Sequence, residues 1–215
     1  MNSNSKDTFI VNLYEKIFNI LGKVSIFYWL RRITKNKSYF FVDAWVLGNL
    51  IFSVLSVIIT YYIDRRKRFL FWIILAYSIV RVFEILVYQL NVLFFDRIRA
   101  QKNNQDYSIR SATRMVILLL HNFAEIMLWY SVMMICILKI DGSFSQERSI
   151  WEYIRANILN VATFNTGEIE KIVNKTNSSI ANLIFFENIT GLFMTLLCLG
   201  RFINLLPTVK TKDET

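Results

Sequence analysis

The chain has little of what an ordinary soluble domain contains. Its 215 residues include one proline, one histidine and two cysteines, and only 19% are charged, against about 25% in soluble domains. Cys136 and Cys198 lie within apolar segments and one histidine supplies few nitrogen ligands, so we expect neither a disulfide nor a zinc site. The chain has no Ser/His pairing, paired aspartates or glycine-rich phosphate loop. We therefore expect no cofactor and no enzyme activity.

Apolar residues are abundant and gather in long blocks. Hydrophobic residues make up 54% of the chain and aromatic residues 15%, and the mean hydropathy is +0.38. About 20 apolar residues suffice for a helix to cross the hydrocarbon core. The sequence therefore predicts an all-α membrane protein with four transmembrane helices. The spans are 40–63, 69–95, 112–140 and 180–206, the last ended by Pro207.

Residues 8–33 have the spacing of an amphipathic helix. A polar stripe faces an apolar side, and three of its charged residues lie near the middle, where insertion costs about 2.5–3.5 kcal/mol each. We expect an interfacial helix on the cytoplasmic leaflet, near anionic lipid; a fifth spanning helix is the alternative. The polar stripe comprises Asn12, Glu15, Lys16, Asn19 and Lys23.

These elements divide the chain into five regions. With both termini inside, fourteen basic residues lie on the cytoplasmic side and nine outside, which the positive-inside rule favours. The basic turn at 64–68 argues against this orientation. We expect a bacterial inner membrane. The regions are an interfacial segment 1–39, an outer helix pair 40–95, a basic cytoplasmic loop 96–111, a pore-like module 112–206 and a cytoplasmic tail 207–215.

The segment between the last two spans is the most informative. Residues 149–168 read SIWEYIRANILNVATFNTGE: an amphipathic start, a polar end and too little length to cross the bilayer. Non-helical backbone at membrane depth is tolerated only where protein buries it or where it lines water. The segment therefore predicts either a re-entrant helix with a pore loop or an ordinary external loop with a surface helix.

A span, a short helix, T-x-x-T beside a Gly-acidic pair, and a Gly-containing span follow one another in 112–206. This order resembles the pore module of the potassium-channel superfamily, where the loop looks like YFSxVTLTTVGYGD. The resemblance implies a homotetramer around a central path, with Gly191 as the inner-helix hinge. The residues matching V-G-Y are absent, and these supply carbonyls that replace the potassium hydration shell. The resemblance thus implies a weakly selective cation pore whose candidate residues are Thr163, Asn165, Thr166, Gly167 and Glu168.

Ionisable residues inside the spans are costly and suggest function. Arg81 and Glu84 lie three apart in the second span, and His121 and Glu125 four apart in the third, so each pair shares a helix face. These four residues form a predicted intramembrane polar cluster. It lines a cavity or couples the outer helices to the pore; alternatively, Arg81 pairs with Glu84 or Glu125 and only orients the helices.

Three further charges are candidates for the ends of a pore. Glu187 is expected near the outer mouth and Arg201 near the cytoplasmic end; alternatively Arg201 extends to the interface as a snorkelling side chain. Glu168, repeated around a symmetry axis, would form an acidic ring that concentrates cations.

Two functions remain open. The first is a pore-forming, ion-channel-like subunit acting as a homotetramer. The second is a non-conducting scaffold, for example in a bacterial defence or signalling complex, that recruits a cytosolic protein through the N-terminal helix and residues 97–114. A nucleic-acid partner is not expected, because the basic residues have the pattern of membrane topology.

Overall fold

A computed structural model describes residues 9–23, 25, 29, 39–102, 111–173 and 178–203. These residues form helices and connecting turns and contain no strand. Four of the helices are long and apolar enough to cross a membrane. The described helices are α1 (Phe9–Gly22), α2 (Tyr39–Tyr62), α3 (Arg68–Phe94), α4 (Asp96–Lys102), α5 (Ala112–Asp141), α6 (Ile150–Thr163), α7 (Gly167–Ile172) and α8 (Ser178–Ile203).

The four predicted spans correspond to α2, α3, α5 and α8. Each observed helix begins within two residues of its predicted start. The ends of α5 follow from local chemistry: the Ser111 hydroxyl accepts from the Arg114 backbone N–H at 3.2 Å, and Gly142 ends the helix at a φ of 81°, which suits glycine. The predicted end of the fourth span at Pro207 lies outside the described residues.

Helix α5 is the centre of the bundle. It contacts α2, α3, α6 and α8, and 72% of its most apolar stretch is buried, against 28% of that of α2. Helices α2, α3 and α8 therefore expose broad apolar faces, as lipid-facing helices do.

Polar contacts at two ends show that α2 and α5 run in parallel. At the far end, Lys139 Nζ donates to the backbone carbonyls of Tyr61 and Ile63 at 2.6 and 2.7 Å. At the near end, Arg114 of α5 pairs with Asp43 of α2. The tight turn after α2 reverses the chain, so α3 returns antiparallel to both.

Helix α1 packs at the end of α3, and it is shorter than the 26 residues expected. It ends at Gly22, and Lys23 forms a turn. Its polar face contacts α4, where Lys102 Nζ donates to Asn12 and Glu15 at 3.0 and 2.5 Å. Its apolar side chains are exposed: Phe9, Ile10, Leu13, Tyr14, Ile17 and Ile20.

Candidate functional site

The residues between α5 and α8 form a helical hairpin, which we call the inter-span hairpin (residues 150–172). At the start of α6, the Glu152 carboxylate accepts from the Ser149 backbone N–H at 3.1 Å, a capping-box contact. This backbone hydrogen bond is the main reason that the pKa of Glu152 lies below its usual range. The serine and the glutamate three residues later therefore fix where α6 begins.

The tip of the hairpin is a tight turn at Phe164. Its φ of 57° is left-handed, and it is the one non-glycine residue with positive φ in the described part of the chain. Its backbone N–H donates to the Asn160 carbonyl at 2.8 Å. Such a conformation costs roughly 1–3 kcal/mol and persists only where the surroundings hold it. No sequence signal pointed to Phe164, since glycine or asparagine is usual there.

The two arms of the hairpin run antiparallel. Arg155 on α6 pairs with Glu168 on α7, and the Arg148 guanidinium donates to the Lys171 carbonyl at 2.6 Å. The chain thus leaves the level of residue 148, turns at Phe164 and returns to that level by residue 171.

The predicted filter residues lie at this tip. Thr163 is the last residue of α6, and its hydroxyl donates to the Leu159 carbonyl at 2.6 Å. The Asn165 side-chain oxygen accepts from the Gly167 backbone N–H at 3.0 Å, and Thr166 donates to Glu170 at 3.1 Å. These groups form two helix ends and a turn. Their oxygens therefore make hydrogen bonds within the hairpin and are not aligned in an extended row.

Glu168 is not a free acidic group. Lys171 donates to one carboxylate oxygen at 2.6 Å, and Arg155 pairs with the other. These contacts hold the pKa of Glu168 below its usual range, and the hydrogen bond from Lys171 contributes most to this shift. An acidic ring made from Glu168 would therefore carry two cations beside each carboxylate, which removes most of the potential expected from the sequence.

Helix α6 packs deeply between α5 and α8. The side-chain amide of Asn157 donates to Met134 Sδ at 3.3 Å and to the Tyr153 carbonyl at 2.7 Å. At the end of α6, a Cβ added to Gly191 would lie 2.3 Å from the Val161 backbone oxygen. Glycine is required there because α6 and α8 approach backbone to backbone. The predicted hinge glycine is thus a contact within one chain.

Three of the four residues of the predicted polar cluster meet inside the bundle. Arg81 forms two hydrogen bonds with Glu125, at 2.7 and 3.0 Å, and one with Glu84 at 2.7 Å. The Trp129 indole donates to Glu125 at 2.9 Å, and Ser25 donates to Glu84. Arg81, Glu84 and Glu125 are all buried. We call these three residues the ionic cluster; it ties α3 to α5.

His121 stays outside the ionic cluster. Its Nδ1 lies 2.8 Å from the Ile117 carbonyl, so the ring turns back along its own helix. It instead lines a cavity of about 450 Å³ between the first turns of α2 and α5, together with Asp43 and Arg114. Spacing on one helix placed His121 near Glu125 but could not show which way its ring turns.

Glu187 and Arg201, the predicted pore-mouth charges, are both buried inside the chain. The Glu187 carboxyl faces Asn160 of α6, and neither of its oxygens has a hydrogen-bond partner among the described residues. Arg201 Nη2 likewise has none there. Within a single chain, other described residues therefore cover both side chains.

Lys139 has a structural role that was not predicted, because the sequence places this lysine among the nine basic residues expected outside. Lys139 is 2% exposed. Besides its two carbonyl contacts, its ammonium lies 4.6 Å from the centre of the Phe144 ring, within cation–π range. A general rule could have suggested this role: the last backbone carbonyls of a helix such as α2 have no partner within the helix and need a donor.

Comparisons of the chain with family models, with curated proteins and with solved structures find no match. The resemblance to the potassium-channel pore module therefore stays a prediction.

Proposed function

We propose that the chain is a pore-forming membrane subunit that assembles as a homotetramer and conducts cations with weak selectivity. In this proposal α6 and α7 form a re-entrant hairpin, both termini are cytoplasmic, and the membrane is a bacterial inner membrane. The observation that carries the proposal is the backbone contact between Val161 and Gly191.

That contact sets the depth of the hairpin tip. Gly191 is thirteen residues into α8, which corresponds to about 20 Å along the helix axis. On the other side, Tyr130 of α5 hydrogen-bonds to Thr190 at 2.8 Å, and it lies eleven residues before the end of α5, or about 16 Å. Both estimates support a position for the end of α6 near the middle of a hydrocarbon core of roughly 30 Å.

The exposed surface of the hairpin is partly polar, beside the exposed rings of Trp151 and Phe164, and its polar groups are costly against lipid at that depth. Asn165 at the tip is exposed, as are Arg155 and Lys171 beside Glu168. Backbone and side-chain polar groups in hydrocarbon cost several kcal/mol each. Water or a neighbouring copy of the chain must therefore cover this face. One hairpin per chain can line a closed path only when copies assemble around an axis.

The tip also supports weak selectivity. Strong potassium selectivity needs stacked rings of carbonyl oxygens, whereas the oxygens of Thr163, Asn165 and Thr166 are bound within the hairpin. An ion passing this tip would keep much of its hydration shell. Because Glu168 is paired twice, size rather than a strong local charge would discriminate between ions.

The second candidate, a scaffold that recruits a cytosolic partner, is favoured by two observations. The pairing of Glu168 leaves no strongly acidic entrance, and α1 with α4 builds a polar surface beside the bundle. The apolar side chains of α1 point away from this surface and fit an interfacial helix on anionic lipid. Residues 103–110, within the loop 97–114 that would complete the surface, lie outside the described residues.

Mass and flux measurements separate the two candidates. The purified protein in lipid nanodiscs should have the mass of four chains, and in liposomes it should pass sodium and potassium at similar rates. Gly191→Ala should reduce flux, because it displaces the hairpin, while Gly200→Ala, where nothing lies within 4 Å of the added Cβ, should not. A monomeric mass together with absent flux would leave the scaffold as the function.

A further inference from the structure

The contact between α6 and α8 contains a group of buried polar atoms without partners. Glu187 is 0% exposed, and neither of its carboxyl oxygens has a hydrogen-bond partner within the described part of the chain. Asn160, also fully buried, has no partner among the described residues for either side-chain amide atom, and the side-chain oxygen of Asn157 has none there. Buried polar groups are almost always hydrogen-bonded, so each exception needs an explanation.

Among the residues that the structure describes, no cation acts on Glu187 to balance an ionised carboxylate. Asn160 of α6 and Tyr130 of α5 are the side chains that act on it, and both are uncharged. Tyr130 is itself hydrogen-bonded to Thr190 on α8.

The nearest basic residues on α5, α6 and α8 are engaged or distant. On α6, Arg155 pairs with Glu168, and on α5, Lys139 binds two carbonyls. On α8, Arg201 is fourteen residues from Glu187, or about 21 Å along the axis. An isolated ionised carboxylate is disfavoured in such a place, where a buried acid takes up a proton instead.

We propose that Glu187 is a proton-binding site whose protonated carboxyl pairs with the side-chain amide of Asn160. The acid O–H donates to the Asn160 oxygen, and the Asn160 amide N–H donates to the other Glu187 oxygen, so all four unpartnered atoms are satisfied at once. A metal ion fits less well, because hard cations take six or more oxygen ligands and three side chains provide few.

The paired acid and amide hold the last turn of α6 on α8, next to the backbone contact at Gly191. Loss of the proton to water leaves a bare carboxylate that draws in solvent, so the end of α6 separates from α8. The inference concerns the helix contact alone and holds whether or not the chain conducts ions.

Infrared spectroscopy tests the protonation state. The difference spectrum between wild type and Glu187→Gln at neutral pH should contain the carbonyl stretch of one protonated carboxylic acid. Absence of this band would overturn the proposal. So would a band that disappears when sodium or potassium chloride is added at constant pH, because a metal ion would then compete for the site.

Thiol labelling tests the consequence for the hairpin. Val161→Cys places a buried reporter beneath the contact, and Asn165→Cys places an exposed reference on the same hairpin, which corrects for the pH dependence of thiol reactivity. The ratio of the two labelling rates should rise by up to about tenfold per pH unit above about pH 4.3, the ordinary pKa of a glutamate in water. It should level off once Glu187 is ionised in the closed contact as well.

With Glu187→Gln, whose amide pairs with Asn160 at every pH, the ratio should stay flat. A ratio that is flat in the wild-type background over the whole range from about pH 4.3 upward, or one that rises equally in both backgrounds, would show that Glu187 does not control the contact.

Discussion

Replacing Gly191 with alanine should destabilise the protein more than the same change at Gly200. The Cβ at position 191 would meet a backbone oxygen at 2.3 Å, so α6 and α8 must separate by about 1 Å to restore an ordinary contact. Overpacking of this kind costs roughly 1–3 kcal/mol. Position 200 has no neighbour within 4 Å of the added atom, so Gly200→Ala should be neutral or slightly stabilising.

The pair of variants isolates the contact because both glycines lie inside α8. Alanine favours a helix interior over glycine by about 1 kcal/mol, and this gain applies to both positions. Thermal unfolding of each variant in nanodiscs measures the difference, with Gly191→Ala expected to unfold at the lower temperature. Equal unfolding temperatures would show that α6 does not pack against Gly191.

Three other predictions follow from the polar contacts. Arg81→Gln should cost about 3–5 kcal/mol in chemical unfolding in detergent, because it leaves two buried carboxylates without their cation; a loss below 1 kcal/mol would contradict the ionic cluster. Lys139→Met should cost about 2 kcal/mol by removing the donor for the carbonyls of Tyr61 and Ile63, and unchanged stability would refute that role. The ion pairs of Glu168 should stabilise the hairpin fully above about pH 4.3, and this stabilisation should be lost as the pH falls through the lower pKa of Glu168 in the folded protein. Glu168→Gln should lack this acid transition when hairpin opening is followed by thiol labelling. An identical transition in both proteins would refute the assignment.

The spans could be predicted from the sequence because their cause is local. A run of about 20 apolar residues determines a membrane helix whatever its neighbours are. The end of α5 has an equally local cause, since Gly142 comes directly after Asp141 and takes the left-handed conformation. The predicted length of the first helix was wrong, because the apolar periodicity of 8–33 continues beyond Gly22, where α1 ends.

The candidate site was predictable only where one helix supplies both partners. Arg81 and Glu84 share a face of α3, so their pairing could be anticipated from spacing. The meeting of Glu187 with Asn160 could not, because it depends on how α6 enters between α5 and α8. The pairing of Glu168 with Arg155 depends on the left-handed conformation of Phe164. Asn165 and Gly167 mark a turn in the sequence, but neither stands at the position that takes this conformation.

The depth and surroundings of Asn165 test the central claim most directly. A spin label on Asn165→Cys in nanodiscs reports its depth and its surroundings through its relaxation rate. Oxygen, which concentrates in lipid, and a water-soluble nickel complex each speed up this relaxation where they reach the label. Lys67→Cys in an exposed turn and Leu192→Cys on the exposed face of α8 give the water and lipid references. We expect Asn165 to combine limited oxygen access with nickel access well above that of Leu192, as a polar tip at membrane depth facing water. Values equal to those of Lys67 would place the hairpin at the surface, and values equal to those of Leu192 would place its tip in lipid; either result would contradict a re-entrant pore hairpin.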